Sequence, residues 1–254
     1  MDRPSRLSAN DVERSCTSSN LAEVTAALVA ASAHRRPAAL LDVGCGYGGI
    51  AATLADHLGV EEAHGVDVDP VVMAEARAKG VRAVQADVSA GPLPYGDDAF
   101  DVLTCFGMLD YPPWYDTAVR EFARVLRPGG LVAIALPNLG GWHNRLALLC
   151  GYQPRDVEFC SVRTVGVAPS YRDRRPVGHL HSPTTRAFRE FMAVMGFSEV
   201  RTHALRPANV RPPGLLRLLD AGLGRFPGTA RRFLYLGRST GRPAGGDGEG
   251  WWSP

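Results

Sequence analysis

Short, almost wholly apolar runs recur along the first half of the chain, and each ends at a turn-forming residue. They are Leu40 to Val43, Val102 to Phe106 and Leu131 to Leu136. Strands with this composition are typical of parallel sheets that helices cover on both faces. Segments with apolar residues at helical spacing lie between them, such as Thr117 to Leu126. This alternation predicts right-handed βαβ units in one doubly wound α/β domain.

The domain organisation follows from where this rhythm holds. Strands are predicted at 39–43, 63–68, 81–86, 100–106, 131–136, 198–204 and 232–237, and helices at 21–31, 50–58, 71–79, 117–126, 184–195 and within 214–226, with Asn20 as an N-cap. The rhythm breaks at 138–181, which we interpret as an insertion that forms a lid over the carboxyl edge of the sheet and the acceptor site. The domain would span 18–237, between a flexible segment at 1–17 and a disordered Gly/Pro/Ser-rich tail at 238–254.

Composition narrows the classes of function. Lysine plus arginine number 28 and aspartate plus glutamate 26, so the net charge is +2. A charge so close to neutral predicts no nucleic-acid partner and no membrane partner. The five cysteines have no CxxC spacing, which predicts no disulfide framework and no metal site and suits a reducing compartment. Because the N-terminus lacks an apolar signal region and no long apolar run occurs, we expect a cytoplasmic protein without a membrane span.

A glycine-rich loop, Gly44-Cys45-Gly46-Tyr47-Gly48-Gly49, follows the first strand and opens a helix. Glycines there allow a tight turn and a close approach of the backbone to a ligand, and the spacing also matches the dinucleotide-binding G-x-G-x-x-G. Three features argue against NAD. Asp42 lies in the strand just before the loop, where it would repel a pyrophosphate but attract an ammonium group. A second acid, Asp87, ends the third strand, and the chain has no second mononucleotide-binding half.

Several segments together resemble a known family. LLDVGCGYGG resembles the first motif of the class I S-adenosylmethionine (SAM)-dependent methyltransferases, and GVDVDP resembles the second. QADVSAGPLPYGDDAFDVLTCF is similar to the third and fourth, and LRPGGLVAIALPN to the motif after the fifth strand. Beyond residue 138 the sequence is similar to bacterial small-molecule methyltransferases of the ubiquinone-biosynthesis and methionine-biosynthesis-associated type. The resemblance implies a Rossmann-like sheet of seven strands, mostly parallel, with the last strand antiparallel, and SAM as cofactor.

The resemblance also implies roles for matching positions in cofactor binding. Asp67, at the end of the second strand, would accept hydrogen bonds from both ribose hydroxyls with its two oxygens. Phe106 would close the cofactor pocket from the end of the fourth strand. The remaining predicted contacts are to the methionine portion from Asp42, Gly44 and Gly46, and to the adenine from Val68, Asp87 and Val88. These positions fall at the carboxyl ends of the strands, where open α/β sheets bind ligands.

The acceptor side departs from the family pattern at one position. Relatives often have Leu-Glu-His after the fourth strand, whereas this chain has Leu109-Asp110-Tyr111. Tyrosine ordinarily titrates near pH 10, so Tyr111 is a poor base at neutral pH. His143 is the preferred catalytic base if the acceptor must lose a proton, because it follows the fifth strand closely. His179 and His181 are further candidates within the insertion.

Aromatic residues flank the same region. Trp114, Tyr115 and Trp142 could form the wall of an acceptor pocket or hold a methyl cation by cation–π contact, with His181 beside them. The same aromatic and histidine side chains could equally be ordinary packing or surface residues. Their positions place any acceptor site next to the end of the fourth strand.

Three functions remain open on the sequence. The first is an active methyltransferase that modifies an oxygen or nitrogen of a small-molecule acceptor, as a monomer or homodimer in a biosynthetic pathway for a specialised metabolite. The second is a non-catalytic partner that keeps the SAM fold and regulates another enzyme, and an open acceptor pocket would argue against it. The third is a nucleic-acid methyltransferase, which the near-neutral charge and the absence of an (Asp/Asn)-Pro-Pro-(Tyr/Phe) motif disfavour.

Overall fold

The structure is a computed structural model that describes residues 20–33, 36–157, 160–171, 176, 178–206 and 214–241. The predicted flexible segment at 1–17 and most of the predicted tail lie outside the described residues. The strands are β1 (Ala39–Val43), β2 (Glu62–Asp67), β3 (Arg82–Gln85), β4 (Phe100–Phe106), β5 (Leu126–Pro137), β6 (Phe197–Leu205) and β7 (Arg232–Ser239). The helices are α1 (Leu21–Ala31), α2 (Gly49–Leu58), α3 (Pro70–Ala78), α4 (Tyr115–Val125), α5 (Trp142–Leu149), α6 (Thr185–Val194) and α7 (Leu215–Leu223), with a short 3₁₀ turn at Pro169–Tyr171.

The strands form one sheet in the order β3-β2-β1-β4-β5-β7-β6. The first five strands pair in parallel, whereas β7 is antiparallel to both β5 and β6. The predicted doubly wound, Rossmann-like sheet with its antiparallel last strand is therefore confirmed. The order reverses between β1 and β4, so their carboxyl ends diverge and leave a crevice there.

Alternate residues of each central strand enter two separate cores, which explains the apolar runs. Leu41 and Leu103 face a cluster with α4 and α6, while Leu40 and Val102 face a cluster with α1, α2 and α3. Because successive strand side chains point to opposite faces, a strand covered on both faces has no position left for water.

Element boundaries differ from the prediction at several points. β5 begins at Leu126 rather than at 131, and α4 ends one residue earlier, because the chain turns directly from helix to strand. Asn20 occupies the N-cap position of α1 but makes no side-chain capping bond; its Oδ1 instead accepts from the backbone N–H of Arg206 at 3.3 Å. β7 continues to Ser239, two residues into the predicted tail.

The insertion at 138–181 contains α5, a helix that the sequence did not predict. α5 lies at the end of β5, where the Trp142 N–H donates to the carbonyl of Thr229 at 2.8 Å. The last residues of the insertion, 178–181, pack on the loop after β4, where the Leu180 N–H donates to the carbonyl of Asp110 at 2.9 Å. The insertion therefore contacts two segments at the carboxyl edge of the sheet, the one that leads into β7 and the one that follows β4. Within the described residues, no helix is long and apolar enough to cross a membrane.

Asp101 joins the beginnings of neighbouring strands at the opposite edge. Its Oδ2 accepts from the backbone N–H groups of Ala38 and Ala39 at 2.9 and 3.1 Å and from Arg127 Nη1 at 2.7 Å. Burial raises the pKa of the Asp101 carboxyl, but the hydrogen bonds from Arg127 and the two backbone groups outweigh it and hold the pKa below its ordinary value. The charged form is therefore the one that the fold stabilises.

We expect Asp101→Asn to lower the free energy of unfolding by about 1–3 kcal/mol at neutral pH, because charge-assisted hydrogen bonds are lost. The folded-state pKa lies below the unfolded one, so this stabilisation is present above the unfolded pKa and is lost as pH falls through the folded pKa. Urea unfolding at several pH values should show the two proteins converging in acid. Asp97→Asn, which alters an exposed pair with Arg124, is the control and should cost less than about 1 kcal/mol. A pH-independent difference for Asp101→Asn would contradict the assignment.

Candidate functional site

The glycine loop after β1 has left-handed backbone conformations that require glycine. Gly44, Gly46 and Gly48 have φ of 78°, 51° and 74°. The Gly44 N–H donates to the carbonyl of Val66 in β2 at 2.8 Å, which draws the loop onto the neighbouring strand. A Cβ added at Gly44 would lie 2.6 Å from the Cβ of Met108, so no larger residue fits there. The loop is thus enclosed between β2 and the segment that follows β4.

Asp67 connects this loop to the end of β2. One carboxylate oxygen, Oδ2, accepts from the Gly46 N–H at 2.9 Å, and the other, Oδ1, accepts from the Asp69 N–H at 3.0 Å. Each carboxylate oxygen has two lone pairs, so both oxygens can accept one further hydrogen bond. The carboxylate is therefore fixed in orientation and still able to accept from a ligand's hydroxyl groups.

A pocket of about 390 Å³ lies at the carboxyl ends of β1, β2 and β4. Its volume falls within the usual range for small-molecule and cofactor sites. Six of the residues predicted from sequence line it, namely Gly44, Asp67, Val68, Asp87, Val88 and Tyr111. The lining also includes residues that the sequence did not predict, above all Gly107, Met108, Pro112 and Pro113. A sequence signal for these residues is the glycine directly after the fourth apolar run, because it indicates that the strand ends in a turn there. Gly107 has a φ of 73° at that turn.

Two other predicted cofactor residues lie behind the pocket. Asp42 is 3% exposed, and its Oδ1 accepts from Thr104 Oγ1 at 2.7 Å. Phe106 is buried in the core cluster that includes α1 and α2, and the wall at this point is formed by Gly107 and Met108. Phe106 therefore supports the pocket from below rather than closing it. Gly46 does not line the pocket either; its N–H holds Asp67.

Asp87 is fixed by the residue two positions further on. Its Oδ1 accepts from both Ser89 Oγ at 2.6 Å and the Ser89 N–H at 2.9 Å. These hydrogen bonds from Ser89, the hydroxyl first, lower the pKa of the Asp87 carboxyl. An ionised carboxylate at the pocket wall is a good acceptor for an amino group.

The pocket mouth is formed by the loop after β4, and residues 178–181 of the insertion pack onto this loop. His181 Nε2 lies 2.6 Å from the carbonyl oxygen of Pro113, and the Tyr115 hydroxyl donates to the carbonyl of His181 at 3.2 Å. The His181 ring stacks on Trp114 with the ring centroids 6.5 Å apart. Trp114, Tyr115 and His181 of the predicted aromatic set therefore lie together beside this loop, but neither they nor Trp142 line the pocket, whereas Tyr111 does.

Two largely buried histidine–carboxylate pairs involve the insertion, one within it and one that joins it to the loop after β4. His179 Nε2 is 2.9 Å from Asp110 Oδ2, and its ring meets Tyr111 edge-to-face with the centroids 5.3 Å apart. His143 Nε2 is 3.6 Å from Asp156 Oδ2. Burial raises the pKa of Asp156, but His143 outweighs this effect and the pKa is lowered. Neither histidine lines the pocket, although the His179 pair contacts a residue that does.

Trp142 has a different environment from the one predicted. Its indole Nε1 donates to Asp220 Oδ1 at 2.9 Å, and the guanidinium carbon of Arg231 lies 4.8 Å from the ring centroid. The indole thus connects α5 to α7 and does not line the pocket.

Among the described residues, no group of three His, Cys, Asp or Glu side chains could hold a metal ion. Burial first, then Asp42 and Asp67, raise the pKa of Cys45, so a thiolate is disfavoured at the loop.

Comparison with known proteins gives a methyltransferase domain model that matches residues 41–134. Methyltransferase GfsG of Streptomyces halstedii is 41% identical over 38% of this chain and 36% of its own length. A demethylmenaquinone methyltransferase of Thermus thermophilus is 37% identical over 41% of this chain and 50% of its own length. A phthiotriol/phenolphthiotriol dimycocerosates methyltransferase of Mycobacterium leprae is 29% identical over 77% of this chain and 70% of its own length. The first two matches thus span half or less of those relatives.

Solved structures share the fold at low sequence identity. A Burkholderia thailandensis 1,6-didemethyltoxoflavin N1-methyltransferase, solved with its acceptor and S-adenosylhomocysteine, has a TM-score of 0.54 and 18% identity, covering 88% of this chain and 80% of that one. The 4+2 cyclase SpnF has a TM-score of 0.57 and 22% identity, covering 86% and 81%. Identities this low support the fold alone.

Residues 41–134 therefore match a methyltransferase domain, and the cofactor that the sequence resemblance implies is SAM. The residues present fit this cofactor. Asp67 offers two oriented oxygens for vicinal hydroxyls, Asp87 offers an acceptor for an amino group, and Val68 and Val88 offer apolar surface near it.

We expect Asp67→Ala to weaken SAM binding by about 10- to 100-fold, because it removes the proposed hydroxyl acceptor and releases the Gly46 and Asp69 N–H groups. Calorimetric titration with SAM would measure the change. Asp69→Ala is the matched control. Its Oδ1 caps α3 by accepting from the Val71 N–H at 2.9 Å, so its loss should reduce stability by about 1 kcal/mol and leave SAM affinity unchanged. Wild-type affinity in Asp67→Ala would exclude Asp67 from the site.

Proposed function

We propose that this protein transfers the methyl group of SAM to an oxygen or nitrogen atom of a small-molecule acceptor. The observation that carries the proposal is a single pocket whose wall includes both Asp67 and Asp87 on the cofactor side and Tyr111 at the mouth. Because Tyr111 is partly exposed, a second molecule can approach the pocket at this side.

Most of the catalytic effect would come from alignment. Bound SAM supplies an electrophilic methyl group, so the chain has to hold the acceptor atom in line with it and exclude water. We assign the positioning to the loop that carries Tyr111, with Trp114, Tyr115 and His181 supporting it through their mutual contacts. An acceptor O–H or N–H that received this methyl group would also have to lose its proton, which a basic side chain of this protein would take up.

Two histidines are candidates for that proton. His143 stays a prediction, paired with Asp156. The contacts favour His179, because its ring touches Tyr111 and its partner Asp110 is fully buried. A carboxylate beside Nε2 favours the tautomer in which Nδ1 is the basic nitrogen, and among the described residues Nδ1 has no hydrogen-bond partner in either His179 or His143, so this atom does not separate the two candidates.

The acceptor class is open to a narrower proposal. Relatives are named for acceptors as different as trans-aconitate, demethylmenaquinone and phthiotriol dimycocerosates, so the shared domain does not select one chemistry. The M. leprae relative matches over 77% of this chain, well beyond the length of residues 41–134, and is named for phthiotriol and phenolphthiotriol dimycocerosates. Proline, methionine and tyrosine side chains at the mouth favour a largely apolar specialised metabolite. One relative is a C-methyltransferase by name, so a labelled product should also be analysed for methylated carbon.

A different function on the same fold has one specific observation in its favour. SpnF, a cyclase by name, has the same architecture, so the fold alone does not require methyl transfer. A non-catalytic or cyclising protein would bind SAM without consuming it. Incubation with methyl-labelled SAM and a metabolite extract from the source organism separates these cases. Label in an extracted product supports methyl transfer, whereas saturable SAM binding without labelled product contradicts it.

We expect replacement of the histidine that accepts the acceptor's proton to lower the single-turnover rate by about 10²- to 10⁴-fold and to leave SAM affinity nearly unchanged. His179→Ala and His143→Ala are compared on the acceptor found above, with His57→Ala, an exposed histidine of α2, as the control. The variant of the true base should also lose one ionisation between pH 5 and 8 from the pH–rate profile, which a packing defect would not remove. Full rates with unchanged profiles in both variants would mean that alignment alone suffices.

A further inference from the structure

Helices α5 and α7 expose a concentration of leucines that the methyltransferase site does not use. Leu215 and Leu218 of α7 are 73% and 69% exposed, and Phe226 just beyond it is 63% exposed. α7 has no buried residue among those described. We define the leucine face as Leu146, Leu149, Leu215, Leu218, Leu219, Leu223 and Phe226. Exposed apolar side chains are common singly, but a contiguous group marks a surface that binds something.

Helical spacing and one hydrogen bond join the two halves of this face. Leu146 and Leu149 follow Trp142 by four and seven residues, so they lie on the same side of α5 as Trp142. The Trp142 indole donates to Asp220 on α7, and the two helices pack together. On α7, leucines at 215, 218, 219 and 223 recur at spacings of three and four, so they form one stripe.

The charges around the leucine face are mostly positive. Arg145 on α5 is exposed and its guanidinium donates to the carbonyls of Gly140 and Gly228. Arg217 on α7 is exposed on the side of the helix opposite to the leucines, because it lies two positions from Leu215 and Leu219. The acid within these helices, Asp220, is directed inward, where its Oδ1 accepts from both Trp142 Nε1 and Arg231 Nε. Arg225 is also exposed, but it shares a groove with Glu23 of α1, so we do not count it. The overall charge of +2 conceals this local excess.

The leucine face lies near the carboxyl edge of the sheet, where the cofactor pocket is. α5 follows the carboxyl end of β5, and α7 precedes β7, whose first residue Arg232 pairs with Pro137 at that same end. The leucine face and the cofactor pocket therefore lie at the same edge of the sheet.

We propose that the leucine face docks this protein onto an anionic lipid bilayer surface. Amphipathic helices with leucines on one side and arginines on the other lie in the interface plane, with the apolar side chains among the acyl chains and the long cationic side chains reaching anionic headgroups. A second copy of the chain is the alternative occupant that the test below distinguishes. The proposal does not depend on the reaction that the site performs.

The test is co-sedimentation of the full chain with vesicles of phosphatidylcholine alone and of phosphatidylcholine mixed with phosphatidylglycerol. The wild type should bind the mixed vesicles and be released by salt. The double variant Leu215→Ser, Leu218→Ser should bind about tenfold or more weakly, because it removes apolar area from the bilayer. Arg217→Gln should weaken binding to the mixed vesicles about fivefold and leave the weak binding to neutral vesicles unchanged.

Matched controls are Val194→Ser, an exposed apolar residue on α6, and Arg120→Gln, an exposed arginine on α4. Both should bind vesicles like the wild type. Calorimetric SAM binding and thermal unfolding verify that each variant is folded. The proposal is overturned if the wild type does not bind vesicles, or if the leucine variant binds as well as the controls. It is also overturned if light scattering shows a wild-type dimer that the leucine variant converts to a monomer without any vesicle binding, since the face would then join two copies.

Discussion

The site depends on the carboxylate of Asp67, which connects two loops that are distant in sequence. One oxygen accepts from the Gly46 N–H in the loop after β1, and the other accepts from the Asp69 N–H at the start of α3. Each bond fixes the position of one carboxylate oxygen, so both face the pocket in a defined orientation. Preorganisation of this kind removes part of the entropic cost of binding, because the acceptors do not have to be ordered when the ligand arrives.

Close backbone packing makes this connection possible. A Cβ at Gly48 would lie 2.8 Å from the Cα of Ala76, and a Cβ at Gly65 would lie 2.6 Å from Cys45 Sγ. Glycine at these two positions lets α3 and β2 approach the loop to within contact distance. Gly48 and Gly65, which lie outside the G-x-G-x-x-G positions 44, 46 and 49, thus have a packing role next to the ligand site.

The acceptor side is organised differently from the cofactor side. Its loop is held by the insertion through His181, Tyr115 and the buried pair of Asp110 and His179. Removing one partner of a buried polar pair leaves the other group buried and uncompensated, which is strongly unfavourable. This cost gives the segment at 178–181 a defined position beside the loop after β4.

Local sequence patterns determined the doubly wound sheet, because apolar runs that enter two cores and glycines at strand ends constrain the fold wherever they occur. They also located Asp67, Asp87 and Val88, since positions at the carboxyl ends of parallel strands meet at one edge. Helix α5, the inward support role of Phe106, the use of Trp142 to connect α5 and α7, and the pairing of Asp110 with His179 were decided only by the tertiary structure. Each of these features depends on a contact between distant residues, and neither spacing nor composition contains information about which distant side chain will complete a hydrogen bond or cover an apolar surface.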